Sequence, residues 1–135
     1  VNVISNSTVP KISIVIGGSY GAGNYAMSGR AYNPRFLYAW PSAKIAVMGG
    51  DQAAKTLSTI KISKMNNVSD KMKEEIYLEI KNQYKKQSDP RYAAARLWID
   101  EIINPLDTRK IIIESLDVVK NEGEIKNATY GVIQV

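Results

Sequence analysis

KISIVIGGSYGAGNYAMSG, residues 11–29, is the stretch that decides the fold. Residues 12–16 form an apolar run that is rich in β-branched side chains, which predicts a strand buried on both faces. Four of the seven residues from 17 to 23 are glycines. Residues 24–28 then predict a short helix that Gly29 ends. A strand that enters a helix through such a turn presents unpaired backbone amides at the positive end of the helix dipole.

Unpaired amides of this kind can hold a phosphate or an oxyanion that develops during a reaction. The stretch lacks the Lys-Ser/Thr ending of a P-loop, and glycines at 17, 18, 21 and 23 do not have the G-x-G-x-x-G spacing of a dinucleotide fold. A tight turn whose glycines serve packing alone explains the spacing equally well. The pattern therefore leaves the role of the turn open.

The composition is that of an ordinary globular chain. Its 135 residues suit one domain, with 44% hydrophobic and 23% charged residues. It has no apolar run of about 18 residues, so we expect no membrane span. Without Cys or His, the chain cannot complete a Cys-His or Ser-His-Asp scheme by itself, and we expect no metal site in it.

The net charge of +5 arises from 18 basic and 13 acidic residues. A basic balance can indicate nucleic-acid binding. Here the lysines are scattered, and residues 70–86 interleave five lysines with four acidic residues. We therefore expect a solvated surface and no nucleic-acid partner.

The remaining pattern predicts strands that lead repeatedly into helices. The predicted elements are the end of a helix at 1–8, strands within 36–47 broken by Pro41-Ser42, a second glycine turn at 48–54 followed by a helix to about 62, an amphipathic helix over 70–87, a helix over 91–98, a turn or extended link at 99–103, a last helix from Asn104-Pro105, and a short strand at 130–135. The two glycine turns could mark an internal repeat. Successive turns of a ββα spiral explain them more economically.

Three segments resemble one known family. They are GGSYGAGNYAMSGR (17–30), YNPRFLYAWPSAKIAVMGGDQAA (32–54) and AARLWIDEIINPLDTR (94–109). Together they are similar to the carboxyltransferase (β) subunits of biotin-dependent acyl-CoA carboxylases, and most similar to the 3-methylcrotonyl-CoA carboxylase branch. The resemblance implies an α/β, crotonase-like fold. It also implies that residues 1–135 are the C-terminal part of the family's C-terminal carboxyltransferase domain, with the N-terminal domain absent.

The activity that the resemblance implies is carboxyl transfer from carboxybiotin to the γ carbon of an α,β-unsaturated acyl-CoA. In that scheme carboxybiotin releases CO2, the biotin ureido anion takes a proton from the acyl-CoA, and the resulting dienolate attacks CO2. Fixed N–H donors stabilise such anions without a side-chain nucleophile. In this family each active site is shared between domains of two subunits, so the isolated chain is expected to be inactive.

The resemblance also implies the site residues. The amides of Ala22 and Gly23 match the positions that hold the biotin ureido oxygen and are the expected catalytic groups. Gly21 shapes the turn, and Tyr20 matches an aromatic residue beside biotin. Tyr25 matches a position associated with acyl-chain selection, where a tyrosine favours the methylcrotonyl branch.

The implied partners are an acyl-CoA substrate, a biotin-carrying α subunit, and other β subunits in dimers within a hexamer. The implied location is the cytoplasm of a bacterium or the mitochondrial matrix of a eukaryote. Three alternatives remain: a carboxyltransferase for geranyl-, propionyl- or acetyl-CoA, a crotonase-type hydratase or isomerase, and a non-catalytic interaction module. The hydratase would usually need a Glu near the substrate, and none lies between Gly21 and Gly29.

Overall fold

Five short strands form two parallel sheets in a computed structural model that describes residues 2–65 and 67–121. The strands are β1 (Ile12–Val15), β2 (Gly18–Tyr20), β3 (Phe36–Ala39), β4 (Lys44–Ala46) and β5 (Glu101–Ile102). One sheet has the order β1-β3-β5 and the other pairs β2 with β4. The first two turns of the chain each add one strand to each sheet, and β5 extends the larger sheet, which confirms the predicted ββα spiral.

The helices separate these strands and supply the crossovers that parallel pairing requires. They are α1 (Asn2–Asn6), α2 (Gly21–Ala26), α3 (Gly50–Ser63), α4 (Asp70–Gln87), α5 (Pro90–Ala94) and α6 (Thr108–Lys120), with 3-10 turns at Arg30–Tyr32 and Pro105–Asp107. The helices predicted over 1–8, 48–62 and 70–87 are confirmed. The strand predicted at 130–135 lies outside the described residues.

Small and branched side chains fill the core beside the larger sheet. Its buried members are Leu37, Ala39, Ala43, Ala93 and Ile99, with Val15, Ile45, Ala94 and Ile102 packed against them. This core joins strands from both sheets to α5. The polypeptide around the first glycine turn is therefore supported by residues that lie more than sixty positions later in the chain.

A second core holds α3 against α4. Ala54, Ile76 and Ile80 are buried there, as the four-residue spacing of the apolar side chains on α4 predicts. Two ion pairs between exposed side chains connect α3 with α4. Asp51 pairs with Lys81 at 2.7 Å, and Lys61 pairs with Glu79 at 3.1 Å. The hydrogen bond from Lys81 lowers the pKa of Asp51.

The prediction that β1 is buried on both faces is wrong. All four residues of β1 are only partly buried, and Ile16 just beyond it is 57% exposed. The reason is topological: within residues 2–65 and 67–121, β1 has β3 as its one neighbouring strand. A continuous apolar run indicates a strand, but it does not reveal how many neighbours cover that strand.

The predicted helix over 91–98 is shorter in the structure, and the link after it forms a strand. Leu97 adopts a left-handed conformation with φ of 58°, and the amide of Trp98 donates to the carbonyl of Ala93. This is a Schellman ending with leucine at the position that glycine usually occupies. The chain then turns into β5, which pairs with Tyr38 and Ala39 of β3.

The last helix is fixed to the larger sheet by hydroxyl groups. Tyr38 and the buried Ser115 share a hydrogen bond of 2.8 Å, and the indole N–H of Trp40 donates to Thr108 at 3.0 Å. On the same helix, the apolar side chain of Leu116 is 46% exposed. The buried position falls on Ser115 because its hydroxyl is satisfied by Tyr38 and by the carbonyl of Ile111.

Side-chain caps begin three of the helical segments. Ser69 accepts from the amide of Met72, Asp89 from that of Arg91, and Asn104 from that of Leu106. Asp89 also binds the guanidinium of Arg91, and this side-chain hydrogen bond holds the pKa of its carboxyl far below the usual value of 3.8. In the described residues, no helix is both long and apolar enough to cross a membrane.

We predict that Asp89→Ala lowers the free energy of unfolding by about 1 kcal/mol at pH 7, since the cap of α5 is lost. Asp89→Asn should retain most of the stability because asparagine caps equally well. Urea unfolding of the chain followed by circular dichroism measures both values. Equal midpoints for wild type and the alanine variant would contradict the role of the cap.

We also predict a pH dependence from the same carboxylate. Because the pKa of Asp89 is lower in the folded than in the unfolded chain, its ionised form stabilises the fold above the usual value of 3.8. That contribution is lost as the pH falls below this value toward the folded pKa. Asp89→Asn should therefore lose less stability than wild type as the pH falls from about 4, near the unfolded pKa of a carboxyl, to about 2. Identical losses would refute the assignment.

Candidate functional site

The first glycine turn places unpaired amides where β2 runs into α2. Tyr20 stands before the helix in an extended conformation (φ −128°, ψ 140°) and supplies no side-chain cap. Gly21, Ala22 and Gly23 form the first turn, whose amides lack intrahelical partners. Among the described residues, no backbone group outside α2 accepts a hydrogen bond from the amides of Ala22 or Gly23. Two donors are thus left for a group from outside.

Gly21 is required by the backbone geometry of this turn. Its φ is +49°, in the left-handed region that favours glycine. A Cβ at this position would lie 3.0 Å from the carbonyl oxygen of Val47, which follows β4. The two strand-to-helix turns therefore approach each other closely at Gly21.

The approach to the amides is open. Ala22 and Gly23 are exposed, and a Cβ at Gly23 would meet no atom within 4 Å. Tyr20, which is 39% exposed, stands at the entrance to the turn. A planar polar group can reach this surface without displacing protein atoms.

A cavity of about 360 Å³ adjoins the turn. Gly21, Asn24 and Tyr25 contribute to its wall from the side of α2. The other lining residues are Val15, Arg30, Ala31, Leu37, Ile45, Ala46, Val47, Tyr84, Gln87, Tyr92, Trp98 and Ile99. Most are apolar, so the cavity suits an apolar group held next to the amides.

Aromatic contacts stiffen the walls of this cavity. The ring of Tyr92 meets Trp98 edge to face at 6.0 Å, and the guanidinium carbon of Arg96 lies 3.3 Å from its centroid. The ring of Tyr25, which also lines the cavity, meets Tyr32 edge to face at 5.8 Å. Rings held in this way define a fixed shape.

The charges of the site are few. Arg30 is the one charged residue among the described residues that line the cavity, and it faces Asp100 at 3.7 Å in a half-exposed ion pair. No carboxylate lines the cavity wall as described. In residues 2–65 and 67–121, no group of three or more acidic side chains is placed to hold a metal ion. The arrangement is suited to stabilising a negative oxygen beside an apolar group by backbone dipoles.

The family model for the carboxyl transferase domain matches residues 1–130 of this chain. The chain belongs to the carboxyl transferase domain family. Its sequence relatives include the biotin-dependent 3-methylcrotonyl-coenzyme A carboxylase beta1 subunit of Mycobacterium tuberculosis, 43% identical over 139 residues that cover 100% of this chain and 26% of that protein. The mitochondrial methylcrotonoyl-CoA carboxylase beta chain of Dictyostelium discoideum is 44% identical over 126 residues, which cover 90% of this chain and 21% of that protein.

Solved structures show the same architecture. The P. aeruginosa geranyl-CoA carboxylase beta subunit superposes with a TM-score of 0.78 at 40% identity, over 96% of this chain and 25% of that one. The transcarboxylase 12S hexamer with methylmalonyl-coenzyme A bound superposes with a TM-score of 0.78 at 33% identity, over 98% of this chain and 25% of that one. These matches confirm the crotonase-like fold. This carboxyl transferase domain chain spans about a quarter of the length of such relatives.

The structure brings the predicted site residues together. Tyr20, Gly21, Ala22 and Gly23 form the amide turn, while Gly21 and Tyr25 also line the cavity. Their roles toward biotin and the acyl group remain predictions.

Three aromatic residues of the cavity wall, Tyr84, Tyr92 and Trp98, lie outside the site predicted from the sequence. The segment 94–109 did resemble the family, but nothing in its pattern shows that it returns to the first glycine turn.

We predict that Gly21→Ala destabilises the chain by about 1–2 kcal/mol, the usual cost of a side chain in the left-handed region. Gly23→Ala is the matched control, because its new methyl group meets open space and alanine favours a helix by about 0.5–1 kcal/mol. Urea unfolding followed by tryptophan fluorescence measures both. Equal stability of the two variants would argue against the positive φ of Gly21.

Proposed function

We propose that the protein containing this chain transfers a carboxyl group from carboxybiotin to an acyl-CoA, with 3-methylcrotonyl-CoA as the acceptor. The observation that carries the proposal is the pair of free, open amides at Ala22 and Gly23 beside an apolar cavity. Family membership is consistent with it, since named relatives are carboxylase subunits. We further propose that the chain is the C-terminal part of the second carboxyltransferase domain.

The amide turn fits the ureido group of biotin. Two N–H donors can converge on one small oxygen, and the bare Cα of Gly23 leaves room for a ring to approach. When bound, biotin supplies the carboxyl group and an oxygen that becomes negative as that group departs. The Ala22 and Gly23 amides stabilise negative charge without reorganising, and the loss of one such donor typically costs about 3 kcal/mol.

The cavity suits the acyl group of the substrate. Its branched and aromatic walls can hold a small apolar chain and exclude water, which strengthens the effect of the amide dipoles. Tyr25, fixed by its contact with Tyr32, limits the cavity on the side of α2. We propose that this ring selects the acyl chain.

A second acceptor is favoured by a specific observation. The geranyl-CoA carboxylase beta subunit shares this fold at 40% identity. Its named substrate carries a longer branched, unsaturated acyl chain than 3-methylcrotonyl-CoA. Both acceptors use the same transfer chemistry, so only a comparison of substrates separates them.

The rest of the site must come from elsewhere in the assembly. The chain provides donors for one anion, whereas the acyl thioester requires its own stabilisation when its enolate forms. We propose that another domain of a neighbouring β subunit supplies it, that the subunits form a hexamer as in the transcarboxylase relative, and that a separate α subunit carries biotin. The cytoplasm is the proposed location for a bacterial protein and the mitochondrial matrix for a eukaryotic one.

The activity is tested with the full-length β subunit in its assembled form. Given 3-methylglutaconyl-CoA and free biotin, we expect biotin-dependent decarboxylation that is faster than with methylmalonyl-CoA or malonyl-CoA. Preference for carboxygeranyl-CoA would change the acceptor but keep the reaction. Absence of biotin-dependent turnover with every substrate, in a properly assembled oligomer, would refute the proposal.

The amide assignment has its own variant. In the same assembly, Gly23→Val should place a branched side chain on the open face and lower kcat by about 100-fold or more, the scale of a lost oxyanion donor. Gly49→Val is the matched control, because Gly49 lies at the start of α3 as Gly23 lies in the first turn of α2, and a Cβ at either glycine meets no atom within 4 Å. The control should remain active. Wild-type turnover by Gly23→Val would show that these amides do not contact biotin.

A further inference from the structure

The short helix that carries the amides is tied at both ends to different sheets. α2 has six residues, no side-chain cap and no charged residue in its first turn. A helix of this length is not stable by itself in water. The direction of its amides must therefore be fixed by contacts from outside the helix.

The tie at the first turn is made by Asn24. Its side-chain amide donates to the hydroxyl of Ser19 at 2.9 Å in a part-buried contact. Ser19 lies in β2, where it pairs with Ile45 of β4. The hydrogen bond thus joins the residue immediately after Gly23 to the strand that leads into the helix.

The structure leaves room for Asn24 at the other end of α2. A Cβ at Gly29 would overlap Oδ1 of Asn24 and would lie 2.8 Å from its carbonyl oxygen. That carbonyl accepts the amide of Gly29 at 2.8 Å. The next residue back, Ser28, has a φ of 58° and accepts at its carbonyl from the hydroxyl of Ser13 in β1 at 2.9 Å. Gly29 is needed here for the close approach of Asn24.

We infer that Asn24 is a positioning residue for the transfer reaction. Held by Ser19 and packed against Gly29, it fixes the direction of the Ala22 and Gly23 amides. The inference rests on the proposed function, because the amides matter only if they hold a developing anion. Asn24 fixes the position of the α2 backbone, and Ser19 contributes by holding the side chain of Asn24 with its hydroxyl.

The experiment is a double-mutant cycle in the full-length, assembled β subunit, with free biotin as the co-substrate. Ser19→Ala should lower kcat by about tenfold to hundredfold, since a displacement of about 1 Å in a catalytic group can cost a factor of a hundred. The KM for the acyl-CoA should stay within about twofold, because Ser19 does not line the cavity as described. Asn24→Ala should lower kcat as much, and the double variant no further.

Two further variants serve as controls. Ser19→Thr keeps the hydroxyl in a residue that strands favour, and should restore kcat. Ser42→Ala removes a different hydroxyl, which donates to the carbonyl of Ile16 at 3.1 Å, and should leave kcat unchanged. If Ser19→Ala fails to assemble, Ser19→Cys replaces it, because its sulfur preserves the volume but accepts weakly.

The inference is overturned if Ser19→Ala and Ser19→Cys retain wild-type kcat, or if the two single effects multiply in the double variant. It is also overturned if the rescue by threonine fails while assembly is normal. A failure of the proposed function gives a different result, namely no biotin-dependent turnover by wild type or full activity of Gly23→Val.

Discussion

The close approach of two backbones, the Cα of Gly21 and the carbonyl of Val47, is the constraint on which the site depends. Parallel pairing of β2 with β4 brings Tyr20 beside Ala46, so both chains leave the sheet at the same level. Glycine suits this position because it adopts a positive φ without strain and places no Cβ against the carbonyl of Val47. The amides that follow are thereby held at the sheet edge, with one wall of the cavity formed by the neighbouring turn.

Under the proposed function, the groups that stabilise the developing charge belong to the main chain. Peptide dipoles do not titrate, and neither His nor Cys is present to provide a base or a nucleophile. The side chains around the turn therefore have structural tasks. Asn24 and Ser19 orient the helix that carries the amides, and Tyr92 and Trp98 form part of the cavity wall. The two ion pairs that join α3 to α4 are formed by side chains exposed to solvent.

Local signals in the sequence predicted much of the fold. Caps at Asp89 and Asn104, the four-residue spacing on α4 and the glycine turns are all encoded by neighbouring residues. The sequence did not predict features that depend on distant partners. The partial exposure of β1 follows from its edge position, and β5 exists because residues 101–102 meet β3. The end of α5 at a left-handed Leu97 lacks the usual glycine, so no local signal marked it. The aromatic residues of the cavity wall were not predicted either, because their position beside the first glycine turn also depends on contacts between distant parts of the chain.

The spiral topology also governs how the chain can reach its native state. Ile12 pairs with Phe36, and Tyr38 pairs with Glu101, so no strand pair within the described residues is a hairpin. Each pairing must close a long loop before it gains any stabilisation, and such high contact order slows folding. During synthesis β1 and β2 leave the ribosome well before β3 and β4, and β1 cannot pair with β3 until β3 has emerged. The glycine turn can therefore acquire its shape only after the following turn of the spiral has been made.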